Sequence, residues 1–203
     1  MIAGELSKDR GVEYGAALAL ALAGDSCQSE TLAHDLERPF PEDTSVQFSY
    51  LPTLRACLAL NHNEPAKAIE LLQVAAPYEL GAPRTSIHAN FGALYPVYMR
   101  GEGYLAAHQG AEAAVEFQKI LDHRGIVVSD PIGALARLQL GRAYAVEAGL
   151  SRHGKEGGVK LPLPPEALAK PKAGYLDFLT LWKDADPDIP ILQQAKAEYA
   201  KLQ

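Results

Sequence analysis

The sequence predicts an all-α chain built as a series of helical hairpins. Three observations carry that expectation. The 203 residues are 48% hydrophobic, with alanine and leucine dominant, and straight-chain and small apolar residues of this kind favour helix. Strand-type alternation is nearly absent, and clusters of Val, Ile and Thr are short, so the helical period wins over the strand period. The run Leu140-Gly141-Arg142-Ala143-Tyr144 recurs in weaker form upstream, which points to an internal repeat. Gly141 lets a neighbouring helix approach closely while Leu140 and Tyr144 fill the space on either side.

Gly101-Glu102-Gly103-Tyr104, with Ala113 and Phe117 downstream, is the best-matched copy, in a unit spanning about residues 94–126. An earlier unit runs from Tyr50 through Cys57 to Leu60, turns at Asn61-His62-Asn63-Glu64-Pro65, and continues through Ala68 and Ile69 to Leu72. The first unit is the most degenerate: a helix at 14–23, a turn at Gly24-Asp25, a second helix at 29–36 and a closing Pro41. In the fourth, Leu140 and Tyr144 mark the first helix. Residues 175–182 supply the second, with Phe178 as its packing aromatic and Gly174 just before it.

Leu-Gly-x-x-Tyr resembles the first-helix signature of a tetratricopeptide unit, whose repeats stack because no single hairpin covers its own apolar face. The resemblance implies a TPR-like α-solenoid of about four hairpins, forming one array over 1–203. The repeats fall roughly at 10–43, 44–80, 94–126 and 130–187, with an inserted loop at 150–165 and a capping helix at 189–203. Asp43-Thr44 and Ser129-Asp130-Pro131 offer helix caps. Pro52 and Pro96 should each start or kink a helix. Residues 151–160 are expected to be mobile, Leu161-Pro162-Leu163-Pro164-Pro165 favours an extended conformation, and Pro165 opens the next helix. Trp182 is expected to pack beneath the last helix.

Charge and motifs narrow the function classes. A net charge of -6 disfavours general nucleic-acid binding, which needs a basic face. No apolar run approaches the length of a spanning helix, and the first ten residues lack a secretory pattern, so a cytoplasmic location is expected. Cys27 and Cys57 fall in different repeats and read as small residues packed in helices. The histidines pair at no helical ligand spacing, and Asp184, Asp186 and Asp188 lack the glycine and glutamate of a calcium loop. No metal, cofactor or catalytic motif is expected: Gly154-Lys155-Glu156-Gly157-Gly158 lacks the preceding strand and the Lys-Ser/Thr ending of a phosphate loop.

In tetratricopeptide arrays the first helix of each hairpin lines a groove. Counting from the Leu-Gly-x-x-Tyr anchor places Tyr14, Phe48, Leu51, Arg55, Tyr95, Tyr98, Glu102, Leu135, Leu138 and Arg142 on that face. Aromatic and arginine side chains are the types that dominate contact energies. A partner peptide or helix is therefore expected there, with Arg55 and Arg142 flanking Glu102. The same side chains also suit packing between repeats, and that reading stands beside the first.

Longer phrases extend the likeness. Phe40-Pro41-Glu42-Asp43-Thr44, Lys67-Ala68-Ile69-Glu70-Leu71-Leu72, Tyr104-Leu105-Ala106-Ala107, the run Phe117 to Gly125, and Asp177-Phe178-Leu179-Thr180-Leu181-Trp182-Lys183 resemble the carboxy-terminal tetratricopeptide region of bacterial eukaryote-like serine/threonine protein kinases. The resemblance implies a non-catalytic interaction module, the docking or sensory part of such a kinase. It carries no catalytic residue onto this chain, and a membrane-tethered parent would place the array outside the cytoplasm. The alternative function is a small helical ligand-binding protein or enzyme with its site around Tyr95, Tyr98 and Arg142.

Overall fold

The computed structural model describes residues 9–81, 94–150 and 165–203. Among the described residues the chain is helical, with no strand. The α-helices are α1 (Arg10–Leu22), α2 (Ser26–Glu37), α3 (Leu51–Asn61), α4 (Pro65–Leu71), α5 (Tyr95–Ala106), α6 (Gly110–Asp122), α7 (Arg124–Val127), α8 (Ile132–Glu147), α9 (Pro165–Leu181) and α10 (Pro190–Ala200). Four antiparallel pairs follow one another along the chain, α1 with α2, α3 with α4, α5 with α6, and α8 with α9, and α6 packs as extensively on α8 as the helices within a pair do on each other. Successive pairs touch twice. The second helix of one meets the first of the next (α2 with α3, α4 with α5, α6 with α8), and the first helices meet each other (α1 with α3, α3 with α5, α5 with α8).

The four leading helices end in the same way. After α1, α3, α5 and α8 the chain passes through a positive-φ residue: Gly24 (86°), Asn63 (61°), His108 (58°) and Gly149 (79°). The N–H of the following residue then reaches back to the last turn, Asp25 to Leu20, Glu64 to Ala59, Gln109 to Tyr104 and Leu150 to Ala145, at 2.8 to 2.9 Å. This Schellman closure satisfies carbonyls that the helix end leaves open. In the first three hairpins the partner helix starts two residues beyond the positive-φ position, at Ser26, Pro65 and Gly110. In the fourth it starts at Pro165, so the insertion falls inside the turn.

Two of these four positions lack glycine, and an L side chain there costs about 1 kcal/mol of backbone strain. Replacing His108 by glycine is expected to raise stability by roughly 0.5 kcal/mol, because relief of strain outweighs the extra freedom of the unfolded chain. A thermal melt read by circular dichroism checks this. A lower melting temperature would contradict it.

Caps and prolines explain the helix starts. Asp43 accepts from the Val46 N–H at 3.0 Å and Asp130 from the Ile132 N–H at 3.1 Å, as the sequence suggests. Before α3 the ladder widens into a π-turn, Val46–Tyr50, in which the Leu51 N–H bonds the Val46 carbonyl. Pro52 explains the widening, since it has no N–H to continue the α ladder. The Thr53 hydroxyl donates to the Ser49 carbonyl at 2.7 Å. Pro96 sits in the first turn of α5.

Several expectations need correction. Pro165 opens the second helix of the fourth hairpin, as expected, but that helix is a single element, Pro165–Leu181, with Pro171 inside it, and is longer than the predicted 175–182. Cys27 is exposed, whereas Cys57 is buried as expected. The mobile reading of 151–160 and the extended reading of the prolines before Pro165 lie outside the described residues.

The main core runs from Tyr14 to Ala143 and draws on every helix from α1 to α8. A second cluster of Leu138, Tyr175, Phe178, Leu192, Ala195 and Leu202 holds the end of the chain, with Trp182 packed against it and 5.0 Å from the Phe178 ring. The two clusters meet at α8, which contributes to both.

Candidate functional site

The leading helices are crowded on several sides, and this decides where their side chains go. Leu51 and Leu138 are fully buried and Tyr14 is 1% exposed. They belong to the core, which corrects the expectation that they face a groove. Tyr14 stacks on Tyr50, with ring centroids 4.0 Å apart. Phe48 stays exposed and stacks on Tyr78 at 4.7 Å. Arg55 is exposed and donates to Glu37 at 2.7 Å, so it flanks Glu37 and not Glu102 as the sequence suggests. Leu135 is half-buried. Tyr95 is buried, and its hydroxyl donates to Asp130 at 3.1 Å.

Tyr98, Glu102 and Arg142 are brought together. The Gln139 amide joins them: its nitrogen donates to the Tyr98 hydroxyl at 3.2 Å and to Glu102, while its oxygen accepts from Arg142 Nη1 at 3.2 Å. Only that amide orientation serves a carboxylate on one side and a guanidinium on the other. Arg142 then grips Glu198 of α10 through Nε at 2.8 Å and Nη2 at 2.9 Å. This bidentate fork is among the stronger polar contacts available to side chains. The Tyr175 hydroxyl donates to the same carboxylate at 2.8 Å. A polar chain thus runs from α5 through α8 to α10, with α9 at its edge.

Sequence reasoning found three members of this network and missed Gln139, Tyr175 and Glu198. Glu198 lies 56 positions from Arg142, so no local spacing could have announced the pair.

Burial sets the electrostatics. Loss of water raises the Glu102 carboxyl above its usual range, although Tyr98, Arg142 and Gln139 each stabilise its charged form. Burial, then the Glu102 charge, pushes the Tyr98 phenol well up. Cys57 rises to about 11, through burial first and Glu102 second, so its thiol stays protonated and unreactive. Burial opposes the charge on Arg142, and Glu198 more than offsets it.

The raised Glu102 has a consequence with a definite sign. A carboxyl whose folded pKa exceeds its unfolded value binds more protons in the folded state between the two, so stability falls as pH rises through that window. Glu102→Gln keeps an acceptor for Gln139 and removes the charge. Its advantage over the parent is expected to be absent below the unfolded glutamate pKa and to grow until pH passes the folded one. Urea unfolding at pH 4 and pH 7.5 measures the difference, and an advantage that shrinks with rising pH would refute the assignment.

Beside the network opens a cleft of 440 Å³, with Leu105, Ala145, Val146 and Leu150 as apolar surface and His108, Arg142, Glu198 and Lys201 as its polar groups. The arrangement can seat an apolar side chain among charges. Arg142 can accept an incoming carboxylate only if Glu198 yields its place. Among the described residues no three His, Cys, Asp or Glu side chains converge as metal ligands do, and no helix is long and apolar enough to cross a membrane. No protein-family model matches this chain, nor does any curated protein or solved structure.

Proposed function

We propose that the chain is a tetratricopeptide-type array that binds a partner peptide or helix along its leading helices, and that it performs no chemistry of its own. The serial contacts of the four hairpins and their repeated closures at Gly24, Asn63, His108 and Gly149 support the array. The observation that carries the binding reading is the cleft bounded by α5, α8, α9 and α10, with its apolar floor and charged rim. An apolar pocket with a few placed polar groups is the usual form of a recognition site. The link to a bacterial serine/threonine kinase rests on the sequence phrases alone.

Two substitutions at half-buried cleft positions test the reading. Glu198→Gln loosens the fork and frees Arg142 for a partner's carboxylate, whereas Leu105→Asp places a charge on the cleft floor. For a partner isolated by affinity capture, the first should preserve or strengthen binding and the second should weaken it by tenfold or more. Amide exchange should slow on α5, α8 and α10 when the partner is bound. Protection confined to α2, α4 and α6, or binding indifferent to Leu105→Asp, would defeat the proposal.

A further inference from the structure

A second cleft, of 390 Å³, lies where the end of α6, the short α7, the start of α8 and the end of α9 meet. Arg137, which lines it, is five positions before Arg142, roughly 140° around α8 from the network above. The two clefts therefore open on different sides of the same helix.

Its charge is unusual for this molecule. Arg10, Arg55, Arg100 and Arg142 each hold a carboxylate. Arg38, Arg124 and Arg137 hold none among the described residues, and the last two line this cleft. Arg137 spends one donor on the Gly133 carbonyl at 2.5 Å, leaving most of its five-donor fork open. The acids nearby are engaged: Asp130 accepts from the Tyr95 hydroxyl and the Ile132 N–H, and Asp122 from Gln118. Two open guanidinium groups thus stand together on a chain of net charge -6.

The cleft is also apolar. Leu181 is 57% exposed, and Trp182 lies next to it. Val128 is 70% exposed and has φ 52° and ψ -109°. That backbone is costly for a β-branched residue, and no burial of its side chain offsets the cost.

We infer that this cleft binds a protein segment in which a glutamate or aspartate stands beside a large apolar side chain. The carboxylate is taken by Arg124 and Arg137, and the apolar group lies against Leu181, Trp182 and Val128. Charge complementarity selects the acid, since planar guanidinium forks match carboxylates. The exposed apolar wall selects its neighbour.

Trp182 is the only tryptophan in the chain and lines this cleft, so its fluorescence responds to an occupant there. The probes are acetylated pentapeptides pairing glutamate with Leu, Ile, Met or Phe, each beside a counterpart with glutamine for glutamate. At least one acidic peptide is expected to shift the Trp182 emission saturably, with its glutamine counterpart at least tenfold weaker. Arg124→Gln/Arg137→Gln should also bind tenfold more weakly. Val128→Gly should weaken binding while leaving the melting temperature equal or higher, which separates recognition from folding. The inference is overturned if no acidic peptide gives a saturable change, if the glutamine series binds equally, or if sodium acetate alone reproduces the shift. Emission shifted by anionic phosphatidylserine vesicles but by no peptide would assign the arginines to a membrane surface and overturn it as well.

Discussion

Replacing Gly174 by alanine is expected to destabilise the protein by about 3 kcal/mol, near the upper end for overpacking a well-filled site. A methyl group at Gly174 would stand 2.6 Å from the Cα and N of Gly141 and 3.1 Å from the Arg137 carbonyl. All three are backbone atoms, so no rotamer change relieves the clash, and α9 must move away from α8. That shift would reopen the Tyr175 and Phe178 packing that builds the second core cluster and would disturb the Tyr175 to Glu198 bond. Helix propensity acts the other way: alanine in place of an interior helical glycine contributes roughly 1 kcal/mol. At an exposed site the substitution would therefore stabilise, and the sign of the effect tests the crossing. For a chain of this size the loss should lower the melting temperature by roughly 6 to 12 °C. Gly149→Ala is the comparison, because that site has open space but a φ of +79°, and it should cost only about 1 kcal/mol. Equal or greater stability in Gly174→Ala would mean that the helices do not cross so closely.

This crossing also shows how far the sequence could be read. Leu140, Gly141 and Tyr144 gave the close approach on α8, and the second glycine of the crossing was visible as an unusual residue at 174. Neither fixed how tightly the neighbours close in. Helical counting assigns residues to a face; it does not say whether a neighbour occupies that face. Counting therefore puts Tyr14, Leu51 and Leu138 on a groove, yet they are core, because each leading helix touches both its hairpin partner and the helices of the adjoining pairs. Phe48 and Arg55, which the same counting puts on that surface, are exposed, and each already holds a partner within the chain, Tyr78 and Glu37. The turn after α5 was legible as a turn, yet its backbone sign was hidden by a histidine at the position that glycine holds after α1 and α8. Long-range polar partners were not legible at all. Gln139, Tyr175 and Glu198 have no motif, and only the folded chain brings them to Arg142.

The same difficulty concealed the ion cluster from which the second large effect is expected. Arg100 of α5 is almost wholly buried. Its Nη2 donates to Glu79 at 2.9 Å and to Glu116 of α6 at 2.7 Å, and its Nη1 to the Leu72 carbonyl at 3.3 Å. Glu79 is equally buried, with a side chain 1% exposed, and Lys119 of α6 pairs with its other oxygen. The cluster ties the segment after α4 to the third hairpin, where its other anchors are the buried Ala75 and the exposed Phe48 to Tyr78 stack. Removing one member of such a buried set strands the charge opposite, which typically costs 3 to 5 kcal/mol. Arg100→Met keeps the volume and leaves Glu79 with Lys119 alone, so a loss of about 3 kcal/mol in urea unfolding is expected. The segment at 73–81 should then be cut faster by a protease under native conditions. Because much of the loss is the stranded Glu79 charge, adding Glu79→Gln to Arg100→Met should return at least 1 kcal/mol, although Glu79→Gln alone removes a partner and destabilises. That opposite sign distinguishes a coupled ion cluster from simple packing at Arg100. Additive losses in the double variant, or a single Arg100→Met within 1 kcal/mol of the parent, would show that the cluster does not hold the segment in place.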